Sequence, residues 1–553
     1  MDMAEEVQTG WVQPPHQRGG LDHLGAQAPC IQIYGQLLPG ITNVTDRARY
    51  YSFYPWLFSI LEKNGWNNPA DTVTYFRKAD CLFTLISIRH AKRTDGSPLH
   101  YGASIGINTL WGVVEQLSEN GEIRLSDYAH QNNEPSRYFM NAFGGLGQYY
   151  FGVLTQLRLM SGDTAGKAQV TEKIGLKVAL AMGKTVPEEA FVQALKRGSV
   201  TADDLDGLSA FCHCCLNQNS NEGHLLTEIL GRGWQTVVPD SDQSQHIEEQ
   251  LQNEIRGFSL GLFIHLVSTC SDVQKPLDIK TFRAMVYTQS GFEGDELDVP
   301  SRLKPVSKNW QVYQRNELMA VALQGLFFAV LTAAEVEPDV TRGFKNTGQL
   351  SDWFWRYGPG KVVTEDDRSP NSVDAYLRTL AADLPSFNSW ESEGHEVKLA
   401  EAISSLTDSR KFKPDNLKVI VLNSLTVLSA IIHRRENEAG YDSVTFRDRY
   451  LEAYPVNLDS VRGALLNHLA DQGLPSGLAS FTDHFCLKSH RDVAMRKLRQ
   501  QGQDTSLFEV SENGIRCTSA APGASNTSPR VNVVCQGSWH LIQLGSNEPR
   551  IVL

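Results

Sequence analysis

Alternating apolar and polar stretches, the mark of half-buried strands, are scarce in these 553 residues until the C-terminal end. That scarcity points to a mainly α, multidomain helical protein. The first twenty residues, MDMAEEVQTGWVQPPHQRGG, lack both a basic n-region and an apolar h-region, so no secretory signal is expected. Long hydrophobic runs are also missing. Leu318–Ala334 and Leu417–Ile432 are both shorter than the roughly 18–20 residues a membrane span needs. They carry Gln324 and Thr332, and Asn423, Ser424 and Thr426, and read as buried core helices with no membrane partner. Cysteine is sparse and odd in number, nine in all, which excludes a disulfide framework and predicts a cytoplasmic protein with free thiols. The net charge of −12 argues against nonspecific coating of nucleic acid as a main task and leaves room for a local basic patch.

With 41 % hydrophobic and 21 % charged residues, there is ample material for real cores. Helices are predicted over Asp46–Lys63, Ile107–Leu117, Gln245–Val267, Arg315–Ala334, Val373–Ala382, Val397–Leu406 and Leu417–Arg435. Thr45 is a candidate N-cap of the first, and Pro55 should kink or split it. Polar, turn-rich stretches at Pro239–His246, Gly291–Pro305 and Tyr357–Ser372 suggest boundaries, and Thr518–Arg530 a flexible loop. The expected domains are 1–235, 236–410 and 411–553, the last carrying a basic helix and a terminal β-ribbon at Val531–Val534 and Trp539–Leu544. Within 107–185 the pattern helix, strand, wing, strand, helix fits a winged helix, against the plainer reading of a helical hairpin with a long loop.

Motifs for catalysis do not survive inspection. Gly144, Gly145 and Gly147 lack the preceding strand of a dinucleotide fingerprint, so close packing explains them better. Three Pro-Asp pairs, at 239, 338 and 414, and Glu396-Val397-Lys398 do not assemble into a nuclease signature. Cys212, His213, Cys214, Cys215 and His224 are the densest group of soft ligands. Placed on one helical turn, adjacent positions diverge by about 100° and cannot converge on an ion, so neither metal nor cofactor is expected.

Two basic segments stand out. Arg47 and Arg49 sit among tyrosines in DRARYYSFY, a combination able to bind phosphate and stack bases, although such a helix more often packs a core. Lys488, Arg491, Arg496, Lys497 and Arg499 outnumber Asp492 five to one and suit contact with a duplex backbone or a solvated face. Tyr149 and Tyr150, large and amphipathic, suit a protein interface.

The run Leu37–Tyr54, LLPGITNVTDRARYYSFY, and the stretch Gly147–Gly152, GQYYFG, resemble a group of uncharacterised bacterial proteins from antiviral defence islands. The resemblance implies neighbours that include helicases and nucleases, and it brings no catalytic motif. The expectation is a non-catalytic adaptor subunit of a multi-gene defence complex, with DNA contact at the basic segments. The alternatives are a metal-dependent nuclease with a degenerate motif and a DNA-binding regulator.

Overall fold

The structure is a computed structural model that describes residues 22–517, apart from 43, 46, 233–246, 338–339, 341–342, 366–369, 409–411, 435–454 and 502–504. The terminal ribbon, the Thr518–Arg530 loop, the Pro239–His246 boundary and the Pro-Asp pairs at 239 and 338 lie outside the described residues.

The described chain is mainly α-helical. Its N-terminal helices are α1 Ala28–Leu37, α2 Arg49–Lys63, α3 Pro69–Arg93, α4 Pro98–Tyr101, α5 Ile107–Glu115, α6 Ser126–Ala129, α7 Phe151–Gln156 and α8 Gly175–Gly183. Next come α9 Glu188–Arg197, α10 Ala202–Gly207, α11 Asn221–Arg232, α12 Ile247–Asp272, α13 Ile279–Thr288 and α14 Lys304–Val336. The C-terminal helices are α15 Thr347–Arg356, α16 Val373–Ala382, α17 Glu396–Leu406, α18 Leu417–His433, α19 Leu458–Gly463, α20 Leu474–Thr482 and α21 Ser489–Gln501. The described strands are short and pair antiparallel in twos: β1 Glu122–Arg124 with β4 Ser199–Thr201, β2 Met160–Ser161 with β3 Gln169–Val170, and β5 Phe508–Ser511 with β6 Gly514–Cys517.

The described chain divides into two compact units. One is built on Tyr34–Asp278 with Val299–Val306; the other takes the described residues up to Ile33, Ile279–Asp298 and the described residues from Ser307 to Cys517. The expected boundary at 235 lies outside the described residues; α11 and α12, before and after it, pack together within the first unit.

In the 34–278 unit the core is aromatic. Tyr50, Phe53 and Tyr54 on α2 meet Phe76 and Phe83 on α3, and Phe53 and Phe83 approach to 4.1 Å between ring centroids. Pro55 does not split α2, which runs unbroken to an end at Asn64 and Gly65. Thr45 is not its cap: its hydroxyl bonds to Thr42 and accepts from the Tyr51 hydroxyl. The segment 146–183 follows the order expected for it: a π-turn at Leu146–Tyr150, α7, β2, a short turn, β3 and α8. Each strand is two residues long, and α8 packs against α2, so the segment shares its core with α2 and is not a separate body.

The second unit rests on long apolar helices. α14 and α18 are both apolar and long enough to cross a membrane by length and composition, yet most of each apolar window is buried in the protein. α14 begins well before the expected Arg315, at Lys304, and ends at Val336, close to the expected Ala334. Gly325 lets α14 approach α18 closely, since a Cβ there would lie 2.5 Å from Ser424 Oγ and 2.9 Å from Ile403 Cγ2.

Candidate functional site: a histidine–cysteine cluster and a basic helix face

Residues 130–143 beside α3 form neither helix nor strand, and the buried Arg77 satisfies several of the carbonyls there. Arg77, on α3, donates to the carbonyls of Ala129 at 2.6 Å, His130 at 2.7 Å, Phe139 at 2.9 Å and Asn141 at 2.6 Å. One turn on, the carboxylate of Asp80 accepts from Tyr54 at 3.1 Å and Tyr138 at 3.0 Å. Burial raises the Asp80 carboxyl to about 6, against the lowering effect of these bonds. Gly144 has φ +45°, and a Cβ there would sit 2.0 Å from an Asp80 oxygen. The Gly144-Gly145 pair therefore serves close packing, as expected.

Arg47 and Arg49 are both engaged structurally. Arg47 caps α4, donating from Nε to the Gly102 carbonyl, from Nη2 to Pro98 at 2.9 Å and from Nη1 to Leu99 at 3.3 Å. Arg49 is buried, ion-paired with Glu222 at 3.2 Å and bonded to the Ala210 carbonyl at 3.0 Å. As a phosphate contact Arg49 is corrected: its charge is turned into the core and matched there. Tyr150 is corrected in the same way, because its ring is buried against Tyr50 and Tyr51 and offers no surface to a partner. Tyr149 is half-buried beside Phe139.

The helical premise for the cysteines also fails. Ser209–Phe211 and His213–Cys215 are separate 3-10 turns, broken at Cys212 with φ −53° and ψ 147°. The break splits the side chains two ways. His213 goes inward, stacks edge-on to Tyr50 and Phe83 and bonds Ser104 Oγ at 3.0 Å. Cys212 and Cys214 face two histidines that sequence reasoning missed: His90 in the last turn of α3 and His100 in α4. One ligand atom from each of His90, His100, Cys212 and Cys214 lies within 4.8 Å of every other. Sγ of Cys212 is 3.6 Å from His100 Nδ1 and 3.5 Å from Sγ of Cys214, which is itself 3.5 Å from His90 Nδ1. Cys215 sits alongside, 3.9 Å from His90 Nδ1. The spacing H-x₉-H with a distant C-x-C matches no standard paired-ligand pattern, so only the fold brings the four together.

The other basic segment lies on α21. His490, Val493 and Ala494 are buried, while Arg491, Met495, Arg496, Leu498 and Arg499 are exposed. At helical spacing, Arg491, Met495, Leu498 and Arg499 form one outward stripe. Among the described residues, Lys488 pairs with Asp483 at 2.7 Å, and the half-buried Lys497 donates to the Asp22 carbonyl at 3.1 Å. Glu396 of the Glu-Val-Lys triplet is buried, accepting from Tyr287 at 2.9 Å and pairing with Arg434 at 2.6 Å.

A mainly helical protein of two compact units, with a soft-ligand cluster in one and a basic, partly apolar helix face in the other, is the class these features define. Compared with protein-family models, curated proteins and solved structures, the chain matches none.

Proposed function

We propose that this chain is a non-catalytic adaptor subunit of a multi-gene bacterial antiviral defence complex, acting in the cytoplasm and docking a helicase or nuclease subunit through α21. The setting rests on the resemblance of Leu37–Tyr54 and Gly147–Gly152. The observation that carries the adaptor role is the outward stripe of α21, two arginines flanking Met495 and Leu498 on a helix whose other face is anchored. Arginine and methionine are enriched in protein interfaces, and exposed apolar side chains beside cations suit an acidic, partly apolar surface better than a bare phosphate backbone. DNA contact, where it occurs, runs through the phosphates from Arg491, Arg496 and Arg499.

The test is co-purification with the products of the neighbouring genes, using wild type, Met495→Glu and the double variant Arg491→Glu/Arg499→Glu. The reading expects a stable complex with wild type and at least tenfold weaker association with either variant. Magnesium- or manganese-dependent cleavage of DNA by the purified chain alone would replace it with the nuclease reading. Unchanged association, with a lower salt slope for duplex binding, would move α21 to a DNA-contacting role.

A further inference from the structure

We propose that His90, His100, Cys212 and Cys214 form a structural zinc site that ties the end of α3, α4 and the 212–215 turn together. Zinc bound by two thiolates and two imidazoles in a tetrahedron, with Zn–S of about 2.3 Å and Zn–N of about 2.0–2.1 Å, sets ligand-to-ligand edges of about 3.8 Å for S–S and about 3.6 Å for S–N. The separations here are 3.5 Å for Cys212–Cys214, 3.6 Å for Cys212–His100 and 3.5 Å for Cys214–His90. Three of the six ligand-to-ligand edges thus stand close to tetrahedral lengths, and the remaining separations stay within 4.8 Å.

The surroundings add an independent argument. Metal-binding histidines usually give their second ring N–H to a carboxylate, which fixes the tautomer and aims the other nitrogen at the metal. His100 does this: its Nε2 lies 2.9 Å from Asp95 Oδ1 and 3.2 Å from Thr94 Oγ1, and its Nδ1 faces Cys212. Arg47 holds α4 by its carbonyls and so positions the turn that carries His100. Cys212 and His100 are buried, while Cys214 is exposed, giving the ion an entry path from solvent. Two thiolates with two imidazoles select zinc over hard cations such as magnesium or calcium. On binding, each cysteine loses its thiol proton to solvent as its sulfur bonds to the ion, and both histidines stay neutral. No electron is transferred.

The test uses the full-length, untagged chain. Elemental analysis should find about one zinc per chain. Cobalt(II) replacing it should give the strong visible bands of a tetrahedral ion and a thiolate charge-transfer band. The double variant Cys212→Ser/Cys214→Ser should bind neither ion, and Cys215→Ser should bind both as wild type does. Asp95→Asn, an exposed change outside the ligand set, should weaken zinc binding about ten- to a hundredfold without abolishing it. Should the double variant fail to fold, the Asp95→Asn and Cys215→Ser titrations still decide. A wild-type chain that carries no zinc and gives no cobalt spectrum would overturn the proposal, as would binding that survives loss of Cys212 and Cys214, or that depends on Cys215 and ignores Asp95.

Discussion

The two units differ in what fills their cores. The 34–278 unit buries charge among aromatic rings: Arg49 meets Glu222, Arg77 clasps loop carbonyls, and Arg256 donates to the carbonyls of Pro39, Ile229 and Leu230. Burial lowers the Arg256 guanidinium to about 10. The other unit packs long aliphatic helices, with buried Leu323, Leu326, Val330 on α14 and Leu425, Leu428, Ile432 on α18. Long helices satisfy their own backbone. Irregular loops do not, and a guanidinium with five donors in a fixed fork can bond several carbonyls at once. In the 34–278 unit Arg77 plays that role for several loop carbonyls at once, whereas the buried Arg315 of the other unit bonds the Ile431 carbonyl.

The largest expected effect tests the clasp. Arg77→Met should strip several carbonyls of their donor and cost about 3–5 kcal/mol, the range for breaking a buried charged network. Denaturant unfolding of the full chain measures it, and a loss below about 1 kcal/mol would show the loops hold without the arginine. In the other unit the sensitive point is steric. Gly325→Ala forces a Cβ against Ser424 and Ile403 and should cost about 1–3 kcal/mol, with no effect if the two helices part freely.

The third contrast is in pH response. Asp80 has a folded value near 6, raised from 3.8. Its contribution to stability is complete below 3.8 and is lost as pH rises through about 6. His490 in the other unit is lowered by burial to about 3, from 6.5; its Nε2 accepts from the Leu507 amide at 2.9 Å, a bond that protonation destroys. Its contribution holds above 6.5 and is lost as pH falls toward 3. Between pH 7 and 4, wild type should gain stability relative to Asp80→Asn and lose stability relative to His490→Asn. Parallel curves for wild type and either variant would break the contrast. The smallest effect belongs to the surface: Arg496→Glu should shift stability by less than about 0.5 kcal/mol, because that side chain points outward. A larger loss would mean α21 is held by contacts of Arg496 rather than by its buried face.

The same contrast governs what could be read from the sequence. Several helices of the second unit are legible from their apolar spacing: Val373–Ala382 is found with the expected bounds, and α17 and α18 within one or two residues, whereas the 25-residue α3 of the other unit is not among the expected helices. The mainly α fold follows directly from such segments. In the 34–278 unit, by contrast, the roles of individual residues are set at long range. Arg49 in DRARYYSFY looks like a surface cation until Glu222, far along the chain, is brought beside it. Cys212–Cys215 reads as a helical turn because nothing local signals the break at Cys212. His90 and His100 carry no cue at all, since their partners lie more than a hundred residues away. The order of elements between Leu146 and Gly183 is legible, while its dependence on α2 is not.

Amide hydrogen exchange of the full chain, with and without a zinc chelator, tests most directly the claim that the cluster is built to hold a metal within one unit. Removing zinc should speed exchange in residues 87–102 and 209–216, with α14, α18 and α21 unchanged. Identical exchange in both conditions, or faster exchange spread equally through both units, would contradict the account.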